Sequence, residues 1–223
     1  MKPCKALSVV ALVVLGSAIV LAQDPVRVAS SHYKSLFENA DVRILQVDYA
    51  AGSKSAMHQH PDSMVISLTP SRVRFGTADG KSQDSDMPSD SGMYTPAGTH
   101  SSANIGTTSV KAVLVEFKTA APGTGALPAS RPGMTMKVLA EGPRATAYRM
   151  TADPTFHEAA GSKHDYDQVV IALAPSKMSL TLDGKPAKTN WTRGDVQFIG
   201  RGVAHESQNM GGKPIDYVII AIR

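Results

Sequence analysis

The 223-residue chain contains seven histidines, and three of them are spaced to do chemistry. His58 and His60 stand two apart in Gly52-Ser-Lys-Ser-Ala-Met-His58-Gln-His60-Pro61. On an extended strand, residues i and i+2 project from one face, so both imidazoles can grip a single cation. His100 follows the Pro96-Ala-Gly98 turn, and an antiparallel return strand would carry it to the same patch. Three nitrogen ligands leave coordination positions open, which is the arrangement of a reactive centre rather than a closed structural one. The expected cofactor is one divalent transition metal per chain. Fe, Mn, Ni, Zn and Cu all accept imidazole, and ligand type does not choose among them. His32 and His157 carry no such spacing and read as surface or hydrogen-bonded residues.

The elements that must position these histidines are strands. Val42–Tyr49 alternates apolar and polar residues, as a half-buried strand does. Val65–Leu68 and Val169–Leu173 are short β-branched runs, and Asp79-Gly80 and Asp183-Gly184 read as hairpin turns. The polar stretch Ser82–Ser91 reads as a solvated loop. Met57, Met64 and Met93 read as core filling more readily than as pocket lining. The chain also repeats itself. Lys34-Ser-Leu36 lies over Lys137-Val-Leu139 at an offset of 103, and Thr69-Pro70-Ser71 over Ala174-Pro175-Ser176 at 105. His100 and Asn104 lie over His205 and Asn209, again at 105, as does Val110–Lys118 over Ile215–Arg223. Many short strands with Gly/Pro turns, taken twice, predict an all-β fold of two tandem halves. The join, Thr119–Gly133, is rich in Ala, Gly and Pro and reads as a linker.

The same residues resemble a known family. Gly52-x5-His58-x-His60, then Pro96-x-Gly98, then His100-x3-Asn104 is similar to the two motifs of the cupin superfamily. Gly194-Asp-Val-Gln-Phe-Ile-Gly200-Arg-Gly202-Val-Ala-His205-Glu-Ser-Gln-Asn209 resembles the second motif again, with Gly200 in place of Pro. The segment Ser31–Asn39 and the His60-Pro61-Asp62 step look like the head and metal loop of small bacterial cupins. The resemblance implies a bicupin, two tandem jelly-roll barrels with a metal inside a barrel mouth. It also exposes departures. The family's first motif usually adds a Glu three or four residues after the second His. Here Met64 and Val65 hold those positions, and the register of the repeat puts Ser63 there. No carboxylate is available, so the expected metal ligands are His58, His60 and His100 alone. In the second half Ser162 replaces one histidine, Gln168 takes the Glu position, and His164 and His205 are kept. Two imidazoles and an amide would make a weaker second site. Tyr94 and Asp62 are the only acid–base candidates beside the first cluster, and Asp62 reads first as a turn-former after Pro61.

Residues 1–22 have the order of a secretory signal. Lys2 and Lys5 precede an uncharged run, Ala6–Ala22, with Val20 and Ala22 at the −3 and −1 positions before Gln23. The rival is an uncleaved anchor, but the run is short for a span and Gly16-Ser17 interrupt it. The expected organisation is a signal peptide over 1–22, a barrel over 23–120, a linker over 121–133 and a barrel over 134–223. The product would be periplasmic or secreted, with no stable membrane insertion. Cleavage removes Cys4, the only cysteine, and lowers the net charge from +4 to +2 by removing Lys2 and Lys5. A cysteine-free product tolerates an oxidising compartment, and a near-neutral balance gives no reason to expect nucleic acid as a partner. The expected partner is a small-molecule ligand or substrate, and a homo-oligomer is left open. Three readings follow: a metal-dependent enzyme of oxygenase or isomerase type, a non-catalytic small-ligand binder, and a second half that serves only to cover the first.

Overall fold

The computed structural model describes residues 24–119 and 128–223. The signal-like segment 1–22 and most of the linker lie outside the described residues. Apart from one turn of helix at Pro25–Val28, capped by Asp24, the described elements are strands. In the first half they are β1 (Tyr33–Glu38), β2 (Val42–Tyr49), β3 (His58–His60), β4 (Ser63–Ser67), β5 (Ser71–Gly76), β6 (Ser82–Met87), β7 (Gly92–Thr95), β8 (Gly98–Asn104) and β9 (Val110–Phe117). In the second they are β10 (Met134–Glu141), β11 (Ala145–Ala152), β12 (His157–Ser162), β13 (Asp167–Ala172), β14 (Ser176–Leu182), β15 (Lys185–Trp191), β16 (Val196–Ile199), β17 (His205–Asn209) and β18 (Ile215–Ile222). None of the described helices is long and apolar enough to cross a membrane.

Each half is a five-stranded sheet facing a four-stranded one. The orders are β1-β2-β9-β4-β7 over β3-β8-β5-β6, and β10-β11-β18-β13-β16 over β12-β17-β14-β15. The register repeats in detail. Ser63 pairs with Glu116 and Gln168 with Ala221; His58 pairs with His100 and Ser162 with His205. A bulge recurs in the first strand of each half, at Ser35/Phe37 and Val138/Ala140. The buried Asn104 side chain donates to the carbonyls of Tyr49 and Thr108 and accepts from the Gly106 N–H; Asn209 does the same with Ala152, Asp153, Lys213 and Gly211. The Asp183-Gly184 turn has both residues at positive φ, as a two-residue hairpin loop of the right twist requires.

The strict alternation of the large strands gives them two buried faces. Val42, Ile44, Met64, Ile66, Val113, Val115 and Phe117 point out of the first barrel and pack against Val169, Ile171, Val218, Ile220 and Ile222 of the second. The five-stranded sheets thus lie back to back, and Met64 fills core there. Phe37 and Phe198 stack across this interface at 4.7 Å, and Arg193 donates to the Leu68 carbonyl and Ser89 and ion-pairs with Asp90. One expectation fails: Ser82–Met87 is not a loop but edge strand β6, paired with β5. Its acidic residues face arginines, Asp84 with Arg74 and Asp86 with Arg72. Charge on an exposed edge blocks pairing with another chain, which is why its composition does not look like a strand's.

Candidate metal centre

β3 and β8 pair so that His58 lies opposite His100, and His60 projects from the same face of β3. One ligating nitrogen from each of the three residues lies within 4.8 Å of the others. His58 and His60 are buried and His100 is half-buried. Ring centroids are 4.8 Å apart for His58 and His100 and 4.9 Å for His58 and His60. His58 donates from Nδ1 to the Ala56 carbonyl at 2.8 Å, and His60 donates from Nδ1 to Glu116 Oε1 at 2.6 Å. Those bonds set the tautomers and leave each Nε2 as the lone-pair side of its ring, as metal-ligating histidines need. Burial, and then the neighbouring imidazoles, push His100 down to about 3; burial lowers His58 as well. Rings disfavoured from protonation, as at His58 and His100, keep a lone pair ready for a cation. The donor chemistry fits a divalent transition metal.

Two residues at this centre escaped the sequence reading. The first is Glu116 on β9. There is no carboxylate at Ser63, but Ser63's strand partner Glu116 supplies one, acting on His60 from behind rather than as a fourth donor. Burial opposes its ionisation, yet hydrogen bonds from His60 and Arg43 hold its carboxyl below the usual range. Arg43 reaches Glu116 Oε2 and Asp24 Oδ2, each at 2.5 Å. The second is Tyr33 on β1. Its hydroxyl donates to His58 Nε2 at 3.1 Å and accepts from the Tyr49 hydroxyl at 3.1 Å.

Tyr94 does not serve the cluster. It points out of the barrel, its ring over Gly142, where a Cβ would clash with it. Asp62 accepts from the Ala97 N–H at 2.7 Å, holding the turn before β8. His32 stacks on Tyr49 at 4.0 Å and bonds the Asp48 and Lys54 carbonyls, while His157 pairs with Glu206 at the surface.

His60 and His100 line a cavity of about 350 Å³ inside the first barrel, with His58 buried behind them. Val47, Val65, Val73, Phe75, Met93 and Leu114 form much of its wall, so Met93 lines a pocket rather than filling core. Tyr33, Tyr49 and Ser102 supply hydroxyls, and among the described residues no Lys, Arg, Asp or Glu lines it. The second barrel differs. His164 and His205 come together there with Glu158, and Gln168 is buried in the same lining. The interior is nearly filled, with about 40 Å³ left. Tyr217, whose repeat partner is Ala112, accounts for much of this: Ala172 pairs with Tyr217 where Ser67 pairs with Ala112.

No family model matches the sequence, and no curated protein sequence matches it. Solved structures do resemble it. AerE from Microcystis aeruginosa superposes with a TM-score of 0.65 at 13% identity, over 86% of this chain and 97% of that one. A cupin 2 conserved barrel domain protein from Leptotrichia buccalis gives 0.58 at 11% identity, over 86% and 88%. Bacillus subtilis oxalate decarboxylase, which has Mn(II) centres, gives 0.58 at 13% identity, over 86% and 75%. With the strand orders and the repeated register, these likenesses show that the chain has the cupin fold, as two jelly-roll barrels in tandem.

Proposed function

We propose that this protein is an exported, metal-dependent enzyme of oxygenase or isomerase type, acting in its first barrel on a neutral, largely apolar small molecule. The observation that carries the reading is that two members of the three-histidine cluster, His60 and His100, line a largely apolar cavity of about 350 Å³, within the size range of small-molecule sites. His58, His60 and His100 would hold the ion, which supplies a Lewis acid with open coordination positions. Among the described residues the wall has no cationic side chain, so the ion alone would have to balance a carboxylate, and a second carboxylate buried beside it would be unpaired and costly. That argues against oxalate, the substrate in the decarboxylase's name. Val65, Phe75 and Leu114 exclude water and fit a hydrocarbon or aromatic body. Tyr33 spends its proton on the His58 lone pair. Once that lone pair serves as a ligand, the phenol is free to donate to a polar group of the bound molecule.

The test is a ligand and turnover screen on metal-loaded, full-length protein. Neutral hydroxylated aromatics should raise the melting temperature and, for an oxygenase, consume O₂; oxalate should do neither. Tyr33→Phe should keep the metal and weaken ligand binding by about tenfold, one hydrogen bond's worth. Binding of such compounds without any product would identify a binder instead. A protein that takes up no divalent metal from its own compartment would end the reading.

A further inference from the structure

The second barrel holds a polar cluster at the place where the first holds its histidines. Glu158 on β12, His164 just beyond that strand and His205 on β17 bring ligating atoms within 4.8 Å of one another. By donor type the set would suit a divalent ion. It does not fit one, because a cation is already seated there. Arg131, from the segment joining the barrels, ion-pairs through Nη1 with Glu158 Oε1 and places Nη2 3.4 Å from His164 Nε2. The second carboxylate oxygen of Glu158 accepts from Ser207 at 3.1 Å and faces His205 Nε2 at 3.4 Å. That nitrogen is buried and makes no hydrogen bond among the described residues. The Glu158 side chain is 9% exposed, so its charge needs a partner inside the protein. Arg131 is that partner. Beside it, Pro128 and Ala129 line the same interior.

We propose that the Arg131 guanidinium is the resident cation of the second barrel, and that its removal uncovers a divalent-metal site formed by Glu158, His164 and His205. A guanidinium cannot be deprotonated to make way for a metal, so the second barrel stays metal-free while Arg131 is in place. The sequence could not show this. Arg131 lies outside every motif, and Glu158 stands four residues before the Ser162 position that marks the lost histidine.

Equilibrium dialysis against Zn(II) tests the proposal, using full-length protein carrying His60→Ala so that the first barrel does not enter the count. The parent should retain no Zn(II), and Arg131→Met in the same background should retain one equivalent. Adding Glu158→Gln should abolish it again, and Arg131→Lys, which keeps the charge, should remain empty. Arg131→Met should also melt below its parent and recover on addition of Zn(II), because the ion replaces the lost countercharge. Arg131→Gln carries the same expectations if the Met variant misfolds, and a variant that folds only with Zn(II) supports the proposal. Glu158-dependent Zn(II) binding with Arg131 intact overturns it. So does a folded Arg131→Met or Arg131→Gln protein that gains none, or failure of both to fold even with Zn(II). Since His60 is absent throughout, the result stands apart from the reading of the first barrel.

Discussion

Glu116 does more for the first cluster than its distance from the motifs suggests. Its bond to His60 Nδ1 fixes the ring's tautomer and raises the basicity of Nε2, and Arg43 and Asp24 fix the carboxylate in turn. Glu116→Gln keeps the shape and removes the charge, so metal affinity should fall about 10–100-fold in a chelator competition. His60→Ala should lose the metal outright. If Glu116→Gln binds metal as tightly as the parent, the carboxylate is there for packing alone. The residue was visible in the sequence but not recognisable. It sits on the inward phase of VKAVLVEFK with Val110, Ala112 and Leu114, and an acid on a buried strand face is the signal that it has a partner. Which partner could not be read, because Arg43 and His60 come from strands more than fifty residues away.

At the scale of strands, the two barrels share a frame and differ in filling. Period-two alternation and the repeat offset disclosed the frame, since register follows from which face is buried. The drift of the offset from 103 to 105 is absorbed between matched strands, so the pairs Ser63–Glu116 and Gln168–Ala221 still coincide. Filling was not legible, because it depends on which inward residues meet across the barrel. Ala112 on β9 and Tyr217 on β18 make the contrast testable. Ala112→Tyr should project a phenol ring into the first cavity, leaving metal content unchanged and lowering ligand affinity at least tenfold in calorimetry, a loss of about 1.4 kcal/mol or more. Retained ligand binding would place the ligand elsewhere. Asn104 tests the frame itself. Its side chain satisfies two carbonyls and an N–H, so Asn104→Ala should cost about 2–4 kcal/mol in denaturant unfolding, and Asn209→Ala a similar amount.

Across the whole molecule, the back-to-back sheets tie the fate of the first barrel's site to the stability of the second barrel. Val218, Ile220 and Ile222 are buried in one cluster with Met64, Ile66 and Val115 of the first barrel. Conditions that loosen the second barrel therefore uncover the outer face of the strands that carry Glu116 and Ser63. Acid is such a condition. Burial first, and then His205 and Arg131, hold His164 down to about 4, against an ordinary value of 6.5; burial lowers His205 too. A histidine depressed in the folded state takes up its proton first in the unfolded chain. The His164 contribution is then complete above about 6.5 and declines as pH falls towards about 4, below which its own loss levels off, while His100, held down to about 3, extends the decline. Glu116 carries the decline further, since its lowered carboxyl gives up its contribution in more acid solution. Melting of metal-free protein should therefore be level from pH 8 to 7 and drop by several degrees between pH 6.5 and 4. His164→Gln, which removes the titration while keeping a polar side chain facing Arg131 and Glu158, should flatten part of that slope. A melting temperature that rises on acidification, or a slope unchanged by His164→Gln, would show that His164 is not held neutral in the folded protein.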